Sequence, residues 1–237
     1  MNKLAKHAID AHGGLERWNH FTTLSAHLID GGVLWVAKGK AGVLADVTVT
    51  VDLRDEKASH WPFGSPDRRS HFEPQRVALE DANGKVLEEL LQPRSSFKGH
   101  TALWSNLQLA YFAGYAMWTY LNIPFLLARP SVESEEVEPW QESGETWRRL
   151  KVRFPADIAT HSTEQTLYLD RQGLLRRLDY NVEIDGTAGA VHYVYDHRES
   201  SGIVFPTKRR VFRRQPDGRP APEPLIISID LDQIVLS

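Results

Sequence analysis

The chain has 237 residues, 41% of them hydrophobic and 25% charged, a composition typical of one globular domain. Its formal net charge of -3 argues against a dedicated nucleic-acid binder, because such proteins are usually basic. It contains no cysteine, which excludes disulfides, cysteine metal ligands and thiol nucleophiles. We treat residues 1–237 as a single domain.

The N-terminal segment, residues 2–20, predicts a helix with a break at Gly13-Gly14. Leu4, Ala8 and Ile9 recur at helical spacing and form an apolar stripe. Charged and polar residues interrupt every apolar run here, whereas a secretory signal needs about 7–15 consecutive apolar residues. No secretory signal is therefore predicted, and if Met1 is the native start we expect a cytoplasmic protein.

The next segment is strand-like. Alternating or β-branched runs predict strands at residues 22–29, 47–53, 60–61, 70–72, 76–80 and 85–90. The last two flank Asn83-Gly84, a strong short-range signal for a β-hairpin.

A long uncharged run then covers residues 101–128. It is long enough to span a bilayer, since about 20 apolar residues suffice, but polar side chains are spread through it and Pro124 breaks it. The pattern favours a helix over residues 103–121, apolar on nearly all sides and therefore buried on more than one side. Its aromatic residues either fill the core or line a cavity for a lipid-like ligand.

The second half predicts seven strands separated by short turns, at residues 132–139, 146–154, 163–170, 174–184, 189–196, 203–214 and 225–236. Such a series indicates an antiparallel sheet. In the fourth of these strands Leu178 and Tyr180 alternate with Arg177 and Asp179, which predicts one buried face and one wet face.

Two stretches carry a family resemblance: AHGGLERWNHFTTLSAHL at residues 11–28, and LYLDRQGLLRRLDYNVE at residues 167–183. Both are similar to the LolA/LolB-like superfamily of lipoprotein carriers. The resemblance implies an α+β, mainly β fold: a curved antiparallel half-barrel with an N-terminal helix and a long apolar helix on the concave face. A Bet v 1-like fold has a similar element list but ends in a long helix, whereas this chain ends in a strand.

The resemblance also implies a cavity for acyl chains between sheet and helix. Our first hypothesis is therefore a binder or carrier of a hydrophobic small molecule or lipid, with no cofactor and no metal. The predicted ligand-binding residues are Trp35, Trp61, Phe63, Trp104, Phe112, Tyr115, Trp118, Tyr120, Phe125 and Arg209. The alternatives are an enzyme that acts on a hydrophobic molecule in that cavity, and a filled scaffold that holds no ligand.

Several polar residues could carry chemistry. If the segment 62–69 closes a hairpin, His60 and His71 could face each other with Glu73 or Asp55 nearby, and two histidines with a carboxylate would suit Zn or Fe(II). His60, His71 and His192 are also the acid–base candidates for an enzyme. The basic run at residues 208–214 predicts an outer face paired with acidic residues. Within that run Arg209 and Arg213 share one face of the strand, and Lys208, Arg210 and Arg214 share the other. If Arg209 points inward, it needs a partner such as a ligand carboxylate or phosphate.

Overall fold

The structure, a computed structural model, describes residues 1–186 and 188–237. Within these residues one antiparallel sheet contains thirteen strands: β1 Thr23–Gly31, β2 Val47–Asp52, β3 Ala58–Trp61, β4 Arg68–Glu73, β5 Arg76–Asp81, β6 Val86–Leu91, β7 Glu133–Glu142, β8 Glu145–Arg153, β9 Glu164–Leu169, β10 Leu175–Val182, β11 Ala188–Ser200, β12 Ile203–Arg213 and β13 Ile227–Leu236. The α-helices are α1 Lys3–Ala11, α2 Leu15–Trp18, α3 Val33–Ala37 and α4 Asn106–Asn122, and 3-10 helices lie at Pro93–Ser96, Phe125–Ala128 and Glu183–Asp185.

The strands form two successive meanders. The first meander contains β1 to β6 and the second contains β7 to β13, and within each the strands are adjacent in chain order. The two meanders meet where β1 pairs with β13. The sheet does not close, so β6 and β7 form its two edges. This arrangement confirms the predicted antiparallel half-barrel, and each predicted strand and both parts of the N-terminal helix are present.

Helix α4 lies on the inner face of the sheet and packs against β2 to β6. Ser105 begins it with a capping box, in which the Ser105 hydroxyl accepts from the Gln108 amide and the Gln108 side chain accepts from the Ser105 amide. The helix ends just before Ile123-Pro124, and each of its residues from Leu109 onward is buried. In the described chain no helix is both long and apolar enough to cross a bilayer.

The inner face of the sheet, α1 and α4 share one large core. At the closest approach of α4 to the sheet, a Cβ atom placed on Gly114 would lie 2.4 Å from the Phe72 side chain. Trp118, farther along the helix, donates its indole N–H to the carbonyls of Asp52 and Asp55, both at 2.8 Å. These contacts fix the position of α4 against the first meander.

One prediction for the outer face of the second meander, the exposure of Arg177 and Asp179, is wrong. Arg177 and Asp179 were predicted on a wet face, but both are buried. The rings of Tyr168 and Tyr193 and the carbonyl of Gly218 surround them, and the Arg177 guanidinium pairs with Asp179 at 2.6 Å. The alternating sequence pattern correctly predicted that these residues share one face of the strand, opposite to Leu178 and Tyr180. Burial followed because aromatic neighbours and a long β12–β13 connection cover that face.

The Gly114 contact gives a stability prediction. Glycine to alanine in a helix interior ordinarily stabilises by about 1 kcal/mol. We expect Gly114→Ala to destabilise instead, by about 1–3 kcal/mol, because the new methyl group overlaps Phe72. Chemical denaturation of the variant and the parent protein measures the sign of the change in the free energy of unfolding. An increase in stability for Gly114→Ala would contradict the packing argument.

Candidate ligand-binding cavity

A cavity of about 240 Å³ lies between α3, the beginning of α4 and strands β10 to β12. Most of its lining is apolar, and includes Val33, Leu34, Val182, Ala190, Val211 and Ile227. The exposed side chains of His100 and Arg213 also line it, which places the opening of the cavity beside them. An apolar space with few polar groups is the usual form of a site for a hydrophobic molecule.

The inner wall of the cavity carries two polar rings, those of His161 and Tyr180. They stack in parallel with centres 4.3 Å apart. Both nitrogens of His161 are hydrogen-bonded, Nδ1 to the Tyr115 hydroxyl at 3.1 Å and Nε2 to the Tyr120 hydroxyl at 2.7 Å. The chain of hydrogen bonds continues from Tyr120 to the Tyr180 hydroxyl at 2.8 Å, and from there to Nδ1 of His192 at 3.3 Å.

Burial makes these histidines neutral. Desolvation lowers the pKa of His161 to about 3 and that of His192 well below its usual value, with the Arg209 and Arg94 charges adding to the effect. Neutral imidazole supplies one donor and one acceptor. The cluster of Tyr115, His161, Tyr120, Tyr180 and His192, here called the tyrosine–histidine chain, therefore provides hydrogen bonds without net charge.

A buried ion pair lies at the opening. Lys38 donates to the Asp185 carboxylate and to the carbonyl of His100, and its ammonium group is 5.0 Å from the centre of the Trp104 ring. The other Asp185 oxygen is 2.9 Å from Nδ1 of His100. One lysine thus holds α3, the segment before α4 and the β10–β11 connection together at the edge of the cavity.

A second void of about 20 Å³ lies deeper, between α4 and the first meander. Phe112 and Ile227 line both spaces and separate them. Asp30 and His60 are its polar residues besides Tyr120; burial raises the pKa of Asp30 to about 8 and lowers that of His60 to about 4. Both groups are therefore neutral over much of the range around pH 7.

The predicted ligand-binding residues lie in different parts of the structure. Trp104 and Phe112 line the main cavity, whereas Trp35, Phe112 and Tyr120 line the deeper void. Tyr115 lies behind His161 in the tyrosine–histidine chain.

The other predicted aromatics lie elsewhere. Trp61 ends β3 with 37% of its surface exposed, and Phe63 is fully buried beside His60. Trp118 faces β2, and Phe125 stacks on Trp18 with ring centres 4.1 Å apart. None of these four lines the main cavity in the part of the chain that the structure describes.

The two histidines proposed as a metal pair do not face each other. His60 points into the core from β3, whereas His71 lies on the opposite face of β4 beside Glu73 and Glu80. Residues 58 and 72 pair across these strands, so His60 is level with Ser70 and hydrogen-bonds to it. Arg209 points inward, so the condition under which it needs a partner is met, while Arg210 faces outward to Asp230 at 2.7 Å.

Sequence reasoning missed Lys38, His100, His161 and Asp185. His161 lies in a polar loop between β8 and β9, which resembles an exposed connection in sequence. Asp185-Gly186 was recognised only as a turn. Tyr180 was placed on the inner face by alternation, but nothing in the sequence indicated its hydroxyl partners, because they come from α4 and β11.

Comparison of the fold with solved structures identifies its relatives. A LolA superfamily protein from Nitrosomonas europaea aligns with a TM-score of 0.54 over 98% of this chain and 92% of the other, at 7% identity. The chain has the LolA-like fold. A DUF1329 family protein from Desulfovibrio piger gives 0.56 over 98% and 91%, at 12% identity. A proposed outer membrane lipoprotein-sorting protein domain from Vibrio parahaemolyticus gives 0.52 over 98% and 93%, at 9% identity.

No protein-family model matches this sequence, and no curated protein matches it. At 7–12% identity the comparison establishes the LolA-like fold, and it does not assign a role to any individual residue.

The burial of His161 predicts an acid-sensitive fold. Its pKa is about 3 when folded and about 6.5 when unfolded, so below pH 6.5 the unfolded state gains a proton that the folded state does not. The stability that neutral His161 contributes is present above pH 6.5 and is lost as the pH falls, by about 1.4 kcal/mol per pH unit at most.

We expect His161→Gln to be less stable than the parent protein at pH 7.5, by about 1–3 kcal/mol, because its tyrosine hydrogen bonds are weakened. The difference should shrink towards pH 4.5, since glutamine does not titrate. Urea unfolding at several pH values measures it, with the exposed His20→Gln as the matched control. Parallel stability curves for His161→Gln and the parent would contradict the assignment.

Proposed function

We propose that the protein binds and carries a hydrophobic ligand with an acyl chain in the cavity between α3, α4 and the second meander. The observation that carries the proposal is the cavity itself: about 240 Å³ of mainly apolar space, lined in part by the core residues Phe112 and Tyr180. Burial of each methylene group there would contribute about 0.8 kcal/mol to binding. A scaffold that acts only through its surface has no need of such a space.

The fold supports the same conclusion. Solved relatives of this architecture include a LolA superfamily protein and a proposed lipoprotein-sorting domain, both of which align over nearly the whole chain. The rim adds a further argument, because Val33 in α3 lines the cavity and exposes its apolar side chain to solvent. An apolar rim lowers the cost of passing a hydrophobic molecule into the cavity.

The first experiment is to measure the native mass of protein purified without detergent, then to denature it and analyse the organic extract. We expect a stoichiometric fatty acid, phospholipid or isoprenoid. If the protein is purified empty, an environment-sensitive fatty-acid probe should bind with one-to-one stoichiometry. A clean apo mass together with no uptake of the probe would refute the carrier function.

The position of the ligand is tested by filling the cavity. Ala190 lines its wall, so Ala190→Leu adds three carbon atoms to the space without opening the core. We expect probe affinity to fall about tenfold or more while the free energy of unfolding stays within about 1 kcal/mol. Thr48→Leu on the exposed face of β2 is the matched control and should bind normally. Unchanged affinity in Ala190→Leu would place the ligand elsewhere.

A further inference from the structure

We infer that the ligand carries an anionic head group, a carboxylate or a phosphate, which binds at the Tyr180 hydroxyl and is stabilised by the buried positive charge of Arg209. The inference rests on the proposed function and adds to it the chemical class of the ligand and its orientation, with the head group at the inner wall and the chain towards the opening.

Arg209 is a cation in the core that lacks a counter-ion. Its side chain extends inward from β12 and the residue is only 1% exposed. Nη2 donates to the carbonyl of Tyr120 at 3.0 Å, whereas Nε and Nη1 have no hydrogen-bond partner among the described residues. A guanidinium group has five N–H donors, and leaving them unpaired in an apolar interior costs several kcal/mol.

The other two fully buried cations each have the carboxylate partner that Arg209 does not have among the described residues. Lys38 is paired with Asp185, and Arg177 is paired with Asp179 and Glu142. Arg209 instead faces the ring of Tyr120, whose centre is 5.0 Å from the guanidinium carbon. The polar side chains near it include Tyr120, Tyr180 and His192, and also His12 and His197, and burial favours the neutral form of each. The interior of the second meander therefore holds one uncompensated positive charge in the described chain.

This charge lies directly behind the cavity wall. Tyr180 lines the cavity, and its hydroxyl is hydrogen-bonded to His192 and to Tyr120, whose ring faces Arg209. Nε2 of His192 is buried and also has no partner in the described residues. The tyrosine–histidine chain thus connects the one polar part of the inner wall to the guanidinium group.

An anion at the Tyr180 hydroxyl would be stabilised by two interactions. The hydroxyl can donate to it, and the Arg209 charge attracts it across a medium of low polarity, where such an attraction is stronger than in water. Asp185, the acidic residue of the cavity lining, is at the opening and is already paired with Lys38. Arg213 at the opening is exposed, so that water and salt screen its charge, whereas the charge of Arg209 is buried. The buried charge therefore favours a negative group at the inner end.

The test compares four ligands of one chain length by displacement of a neutral fluorescent probe: dodecanoate, dodecyl phosphate, dodecanol and methyl dodecanoate. We expect one or both anions to bind about ten- to a hundredfold more tightly than the neutral pair. Which anion binds more tightly distinguishes a carboxylate from a phosphate head group. Acetate and inorganic phosphate, which lack the chain, should not displace the probe.

Arg209→Met should remove the preference for anions while leaving the affinity for methyl dodecanoate within about twofold. Arg210→Met is the matched control, because Arg210 is the next residue and faces outward to Asp230. It should keep the preference. Circular dichroism establishes that each variant is folded, and the comparison of the four ligands on the unmodified protein needs no variant at all.

The outcomes separate the two proposals. Equal binding of all four ligands by the unmodified protein would overturn the anionic head group and leave the hydrophobic carrier intact. An anion preference that persists in folded Arg209→Met would overturn the role of Arg209. Failure of all four ligands to displace the probe, or of the probe to bind, would refute the carrier function itself.

Discussion

Helix α4 imposes the constraint on which the rest of the structure depends. Because it is apolar on nearly all sides, it has to be covered on nearly all sides, and a single flat sheet could cover only one. The first meander packs against one side of α4 through Gly114 and Trp118. The β1–β13 pairing brings the second meander around to the other side.

The second meander does not pack as tightly. Helix α3 and the segment before α4 keep part of its inner face away from the helix, and the space between them is the cavity. Phe112 from α4 forms one wall, and the polar side of α4, with Tyr115 and Tyr120, meets His161 from a β8–β9 loop that folds inward. The cavity and the tyrosine–histidine chain are thus two consequences of the same incomplete contact.

Most of the buried polar groups beside the cavity are hydrogen-bonded to one another. The side chains of the tyrosine–histidine chain bond mutually, which offsets much of the cost of their burial. Lys38 is paired with Asp185, and Arg177 is paired with Asp179 on its own strand and with Glu142 on β7. Arg209 is a fully buried cation with no carboxylate partner among the described residues, and that missing partner is the physical reason to expect a function there.

The sequence by itself determined the elements of the fold. Two-residue alternation and turn residues located the strands, the break at Pro124 indicated where the helix ends, and alternation along β12 separated the faces of Arg209 and Arg210. These signals are local, since each depends on residues that are close in the chain. They also indicated an antiparallel sheet, because short turns join the strands, whereas its curved half-barrel shape was implied by the resemblance to the LolA/LolB-like superfamily.

Tertiary structure alone decided which side chains surround the cavity. Trp104 and Phe112 line it and Trp61 and Trp118 do not, although all four are aromatic residues in similar surroundings along the chain. His100, His161 and Asp185 come together from separate loops, and Arg177 is buried by aromatic residues from neighbouring strands. Such contacts join residues far apart in sequence, so they depend on strand register and on loop paths that no local pattern encodes.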